Sequence, residues 1–304
     1  MTREQIIRRL HGIFAALVTP FNRRGELDER GFVANLRAYQ ATSLSGVVVA
    51  GSTGEAPYLT EGERLRCLTL ARREIRPPAL LLAGTGMEST RATIRLSREA
   101  IRRGADAVLV VTPGYYKPRM NSAALVEHYR AIADALRRPV LIYSIPQFTG
   151  VTISADAIAM LSRHPNIAGL KESSGDLRFV REVIRKSKPG FRVLVGSALI
   201  VLEGLKAGAA GAVLGPAGYA AGLCTALVEA FTAQDRKRAA QLQAALAPLV
   251  TQIAAPFGVA GIKAAMELRG YCGGEPRRPL LPVTAKEREQ IAAVLAKAQS
   301  ALDS

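Results

Sequence analysis

The sequence predicts an α/β protein: a (β/α)8 TIM barrel over residues 1–222, with a C-terminal helical extension over residues 223–304 packed beside it. Three observations predict it. Eight short apolar runs rich in Val, Leu and Ile recur along the first two thirds of the chain. The segments between them show helical periodicity, several with capping signals, and no further strand-like run follows the eighth.

The first run, 12–19 (GIFAALVT), follows a charged opening, MTREQIIRRLHG. The second, 46–50 (GVVVA), gives way to Gly51-Ser52-Thr53-Gly54-Glu55, and Thr60 with Glu63 reads as a capping box that starts the next helix. The third is 79–84 (ALLLAG). The fourth, 105–112 (ADAVLVVT), leads into Pro113-Gly114-Tyr115-Tyr116, after which Ser122 is expected to cap AALVEHYR. The fifth, 139–145 (PVLIYSI), carries Tyr143 near its end, and Ser154 is expected to cap ADAIAMLS. The sixth, 167–171, ends in Lys171, followed at once by Glu172-Ser173-Ser174-Gly175-Asp176. The seventh, 191–196 (FRVLVG), ends in Gly196-Ser197, and the eighth, 211–215 (GAVLG), in Pro216-Ala217-Gly218. Beyond residue 223 the pattern is helical, broken near Pro256-Phe257-Gly258 and from Gly270 to Pro282, and it restarts at Thr284 with Glu287 as its capping partner. Strand then helix, repeated eight times in some 220 residues, matches a closed barrel better than an open doubly wound sheet.

Composition narrows the function classes. Hydrophobic residues make up 49% of the chain with no Trp, which suits Ala, Leu, Val and Ile helices on parallel strands. No apolar stretch reaches the roughly 18 residues of a membrane helix, and the opening lacks the apolar core of a signal peptide, so a cytoplasmic protein without a membrane partner is expected. Cys67, Cys224 and Cys272 are far apart and lack metal-ligand spacing, so they are read as reduced and structural. The formal charge of +16, and Arg91, Arg95, Arg98 and Arg102 at helical spacing, raise nucleic acid as a partner. The basic residues are instead spread over most helices, with no interleaved aromatics, and read as solvated faces whose field favours anionic substrates. No nucleic-acid partner is expected.

In such a barrel the residues just after each strand converge on one face. Lys171 stands at the mouth of an apolar strand, where desolvation favours the neutral amine that attacks a carbonyl. Taken alone, a lysine at a strand end is more often a surface charge, a Gly/Ser/Thr loop more often a turn, and a strand tyrosine as often a core residue. Together they are coherent: Lys171 as nucleophile, Tyr143 as proton carrier, and Gly51, Ser52 and Thr53 as a carboxylate clamp, with Gly196 on the same face. This is equipment for Schiff-base chemistry on a 2-oxo acid. No metal cluster is present in the pattern, and the loop after the eighth run lacks a phosphate-binding signature.

GSTGE, TPGYY, YSIP, the Lys171 strand and the late FGVAGIK together resemble the dihydrodipicolinate synthase and N-acetylneuraminate lyase family of class I aldolases, over nearly the whole chain. Within it, LLAGTGMESTRATI, VVTPGYYKPRMNSAAL, YSIPQFTG, HPNIAGLKES and GYCGGEPRRPL look most like the 4-hydroxy-2-oxoglutarate aldolases. The resemblance implies that Lys171 forms the Schiff base, Tyr143 exchanges protons, Ser52 and Thr53 hold the 2-oxo acid carboxylate or relay the proton, and Ser173 helps bind substrate. It implies that Tyr115 reaches into a neighbouring subunit's site, hence a homodimer or homotetramer, and that no cofactor is needed because the covalent imine is the electron sink. The implied reaction is cleavage of 4-hydroxy-2-oxoglutarate to pyruvate and glyoxylate. The alternatives are 4-hydroxy-tetrahydrodipicolinate synthesis, another pyruvate-dependent lyase or dehydratase, and a barrel that binds a 2-oxo acid without turnover. Two positions depart from the pattern. Phe148 stands where dihydrodipicolinate synthases usually carry an Arg that clamps aspartate semialdehyde, with Arg119 the nearby candidate to compensate, and Gly218 stands where relatives often have Asn.

Overall fold

The computed structural model describes residues 1–303. Its strands are β1 (Gly12–Ala16), β2 (Gly46–Val49), β3 (Leu80–Gly84), β4 (Ala107–Val111), β5 (Val140–Ser144), β6 (Ile167–Glu172), β7 (Arg192–Val195) and β8 (Gly211–Leu214). Each pairs in parallel with the next, and β8 closes on β1 with Phe14 opposite Val213. The predicted barrel is therefore observed. Most strands are shorter than their apolar runs. After β1, Leu17, Val18 and Thr19 stay buried beyond the strand, and β2 stops at Ala50, whose φ of 55° leaves the extended region.

Parallel strands covered on both faces read as continuous apolar runs because both faces are core. Inside the barrel, Phe14, Val48, Leu80, Leu82, Leu109, Leu141, Leu194 and Val213 form one buried cluster. A second, larger cluster fills the layer between strands and outer helices. The first cluster also contains Ile6 and Leu10, both fully buried. They come from a short N-terminal helix, Arg3–Arg8, and the residues after it. That helix, absent from the sequence-based expectations, closes the barrel at the ends where its strands begin.

The caps at Thr60 and Ser154 form as expected: Thr60 and Glu63 exchange bonds of 2.8 and 3.2 Å, and Ser154 Oγ accepts from the Ala157 N–H at 3.2 Å. The cap before AALVEHYR is a correction. Asn121, in extended backbone, accepts from the Ala124 N–H at 3.0 Å, and Ser122 is already the first helical residue.

The expected division after residue 222 falls inside the helix Ala221–Thr232, which packs on β1 and serves as the eighth outer helix. The extension proper begins with the helix Arg236–Leu249. It runs through a π-helical segment, Val250–Ala254, into Ala255–Leu268, where Gly258 (φ 54°, ψ −140°) breaks the helical backbone at the predicted place. After an irregular stretch the chain restarts at Thr284, whose N–H donates to Glu287 Oε2 at 2.6 Å, into the helix Ala285–Asp303. By length and composition the run 236–268 could cross a membrane, with a mean hydropathy of 1.6 over its best 18 residues, which corrects the expectation that no apolar stretch reaches the length of a membrane helix. The break at Gly258 and the buried cation of Lys263 within it do not fit a lipid-spanning helix, and 28% of the apolar window is buried against the rest of the chain.

Candidate active site

Register places the two central residues. β5 and β6 pair with Tyr143 opposite Lys171, so the side chains leave neighbouring strands at the same level. The Lys171 Nζ lies 4.0 Å from the centroid of the Tyr143 ring, and both residues are buried, 4% and 3% exposed. Tyr143 Oη lies 3.3 Å from Ser52 Oγ, within hydrogen-bond reach. Lys171, Tyr143 and Ser52, named from three separate strand ends, thus meet at one place.

Ser52 and Thr53 belong to a tight loop. Gly54 N–H donates to the Gly51 carbonyl at 3.0 Å and Glu55 N–H to the Ser52 carbonyl at 3.1 Å, while Thr19 Oγ1 donates to the Gly54 carbonyl at 2.8 Å. The loop is bounded by two non-glycine residues at positive φ, Ala50 and Glu55, each at 55°. Thr53 faces the end of β8, where a Cβ built at Gly215 would lie 3.7 Å from Thr53 Oγ1. The 51–55 turn therefore reaches from the end of β5 to the end of β8.

Two residues beyond Lys171, Ser173 is buried; its N–H donates to the Ser144 carbonyl at 3.0 Å, and its carbonyl accepts from Gln147 Nε2 at 2.7 Å. Gly196 touches this turn: its N–H donates to the Glu172 carbonyl at 2.6 Å, and a Cβ there would overlap Ser173 Oγ. Glu172 is fully buried, its Oε1 accepting from the Ser174 N–H at 2.9 Å, and burial raises its pKa above the ordinary carboxylate value.

Tyr115 is not part of this cluster within the chain. Its ring is 76% exposed and packs edge-on against Tyr116, while Glu88 accepts the backbone N–H groups of Gly114 and Tyr115 at 3.1 and 2.9 Å. Phe148 is 70% exposed on the short helix Pro146–Thr149, and Arg119 is exposed on the turn Lys117–Arg119. Gly218 is buried, its carbonyl accepting from Tyr39 Oη at 2.8 Å. The arginine stripe lines a groove of about 750 Å³ with Ser89 and Thr90 along the helix Thr90–Arg102, apart from the residues around Lys171.

The sequence reading missed the residues that hold the site from behind. Glu55 carries a buried ion pair with Lys263, Nζ to Oε1 2.6 Å, each side chain 1% exposed. Burial lowers the pKa of Lys263, and the Glu55 carboxylate opposes that shift. Both residues sit inside segments quoted above, GSTGE and FGVAGIK, but nothing local to either names its partner. Glu88 and Gln147 also lie inside quoted segments, LLAGTGMESTRATI and YSIPQFTG, but they act on backbone groups that no sequence pattern names.

With the geometry in hand, comparison with known proteins is decisive. A family model described as the dihydrodipicolinate synthetase family matches residues 9–298. The chain belongs to that family. A 4-hydroxy-tetrahydrodipicolinate synthase from Methanoculleus marisnigri is 36% identical over 287 residues, covering 93% of this chain and 98% of the relative. A crystal structure of a dihydrodipicolinate synthase from Bacillus anthracis superposes with a TM-score of 0.90 at 30% identity, covering 94% of this chain and 98% of the other. A prophage protein of the dihydrodipicolinic acid synthase family from E. coli K12, solved in complex with pyruvate, gives 0.89 at 28% identity, covering 95% and 98%. The protein is accordingly an enzyme, a lyase of the class I aldolase type acting on pyruvate.

Proposed function

We propose that the protein binds pyruvate as a Schiff base on Lys171 and makes or breaks a carbon–carbon bond at the pyruvate methyl carbon. The observation that carries this reading is the convergence of Lys171, Tyr143 and Ser52 on one buried point. The lysine nitrogen attacks the C2 carbonyl, and its oxygen leaves as water to give a protonated imine. That imine is an electron sink. Loss of a C3 proton yields an enamine that adds to an aldehyde carbon, and Tyr143 delivers a proton to the oxygen that becomes the new hydroxyl. In the cleavage direction Tyr143 removes the hydroxyl proton as the bond breaks. Ser52 holds Tyr143 Oη, and with Thr53 and the Gly51 turn it receives the carboxylate of pyruvate. Ser173 and Gly196, in contact just beyond Lys171, are assigned to the substrate's surroundings, and Tyr115 to a neighbouring subunit's site in a dimer or tetramer. The protein needs no cofactor in this scheme.

The relatives support L-aspartate 4-semialdehyde as the aldehyde, hence 4-hydroxy-tetrahydrodipicolinate synthesis. One observation favours the second reading, cleavage of 4-hydroxy-2-oxoglutarate to pyruvate and glyoxylate: an exposed phenyl ring, Phe148, occupies the position of the arginine clamp and cannot form a fork to a carboxylate. The test is direct. Borohydride reduction with pyruvate should leave a pyruvyl adduct on Lys171 in peptide mass spectra. Parallel assays then follow aspartate semialdehyde consumption and glyoxylate release, and the faster reaction names the partner. Absence of the adduct overturns the Schiff-base reading.

A further inference from the structure

The deepest charge pair in the molecule lies behind the substrate loop. Lys263 Nζ is 2.6 Å from Glu55 Oε1, donates to the Glu275 carbonyl at 2.7 Å and stands 4.6 Å from the centroid of the Phe21 ring. The second oxygen of Glu55 accepts from the Arg277 backbone N–H at 2.7 Å. Arg277 in turn reaches Glu63 with bonds of 2.6 and 2.9 Å and lies 4.1 Å over the same Phe21 ring. One carboxylate therefore joins the loop after β2 to two separate stretches of the C-terminal extension.

Stability alone is a poor reason for such a pair, because apolar residues of similar volume commonly serve a core as well or better. The pair has a second feature: it engages Glu55, whose left-handed conformation (φ 55°, ψ 36°) a non-glycine residue adopts at a cost. The Glu55 N–H closes the turn on the Ser52 carbonyl at 3.1 Å, and the same turn places Ser52 Oγ 3.3 Å from Tyr143 Oη and directs Thr53 toward β8. We infer that Lys263 is a positioning residue: through Glu55 it fixes the 51–55 turn, so that the C-terminal extension sets the shape of the pyruvate carboxylate clamp. This inference rests on the pyruvate reading of the site.

The test compares Lys263→Met, Glu55→Gln and a control, Ile291→Ala, which removes fully buried volume from the extension away from the loop. Two quantities are read in the full-length protein. One is the pyruvate concentration that gives half-maximal borohydride-trapped adduct on Lys171. The other is amide hydrogen exchange across residues 51–56. In both pair variants the half-saturating pyruvate should rise about tenfold with the maximal adduct retained, and exchange should accelerate about tenfold or more. Ile291→Ala should move neither. Unchanged half-saturation in the pair variants, or an equal shift in the control, overturns the inference. Failure of both pair variants to fold also overturns it, by assigning the pair to the fold alone. A wild-type protein that forms no adduct instead sinks the Schiff-base reading, while the exchange data still decide whether the pair holds the turn.

Discussion

Gly196 and Ser173 approach each other so closely, from the ends of β7 and β6, that any Cβ at residue 196 would overlap the serine hydroxyl. Hydrogen contact in place of a methyl group lets Ser173 stay buried beside Lys171. Gly196→Ala should displace the serine, weaken pyruvate binding about tenfold and cost about 1–3 kcal/mol from overpacking. Adding Ser173→Ala to the same chain should recover only part of the thermal midpoint, because the residue 173 Cβ and the Glu172 carbonyl still lie 2.9 and 3.1 Å from the new methyl group, and should not recover the binding. Calorimetry and adduct titration separate the two; an unaltered Gly196→Ala protein would show that the contact is slack.

Lys171→Met should abolish the reducible pyruvyl adduct and lower turnover by about 10⁴ or more, because no other amine meets Tyr143 at this register. Its fold should survive, since methionine fills similar volume at a site only 4% exposed. Peptide mapping after borohydride reduction checks it, and a persistent adduct at Lys171→Met would move the nucleophile elsewhere.

Tyr143→Phe keeps the ring beside Lys171 and removes only the hydroxyl that meets Ser52. Adduct capacity should remain while turnover falls about 10²–10⁴, the range of a lost acid–base group. Ser52→Ala should cost less, about tenfold, by leaving that hydroxyl unoriented. Pre-steady-state trapping at saturating pyruvate distinguishes slow imine formation from slow carbon–carbon chemistry. If Tyr143→Phe turns over normally, the proton carrier has been misassigned.

One source of acid sensitivity outside the site is a buried histidine. His128 is buried with Nδ1 2.9 Å from Thr90 Oγ1, and burial pushes its pKa down to about 4. The unfolded chain binds that proton more readily, near pH 6.5, so stability is complete above this value and is lost as pH falls toward 4. The loss is on the order of 2–3 kcal/mol. His128→Leu should flatten the pH dependence of denaturant midpoints across this window. An unchanged slope would place the proton uptake on other groups.

The barrel was legible because its strands are buried on both faces, which writes each of them as an unbroken apolar run. The site was legible because a lysine and a tyrosine at the ends of two such runs are chemically conspicuous, and adjacent strands bring them together. What stayed hidden depends on contacts that no local pattern encodes. The helix Arg3–Arg8 is short and half charged, with Ile6 its one buried residue, so it lacks a periodic apolar stripe. Asn121 and Ser122 are both competent caps, and only backbone geometry chooses between them. The eighth outer helix merges in composition with the extension and is distinguished only by packing on β1. The Glu55–Lys263 pair joins residues from opposite ends of the chain.

The small helix that carries Ile6 into the base of the barrel has a consequence for traffic. With Ile6 and Leu10 filling the base and Phe14, Leu80, Leu141 and Leu194 packed with them in one buried cluster, that end of the barrel is closed to solutes. On the proposed scheme both substrates then arrive, and both products depart, over the opposite end, where Ser52, Tyr143 and Lys171 meet.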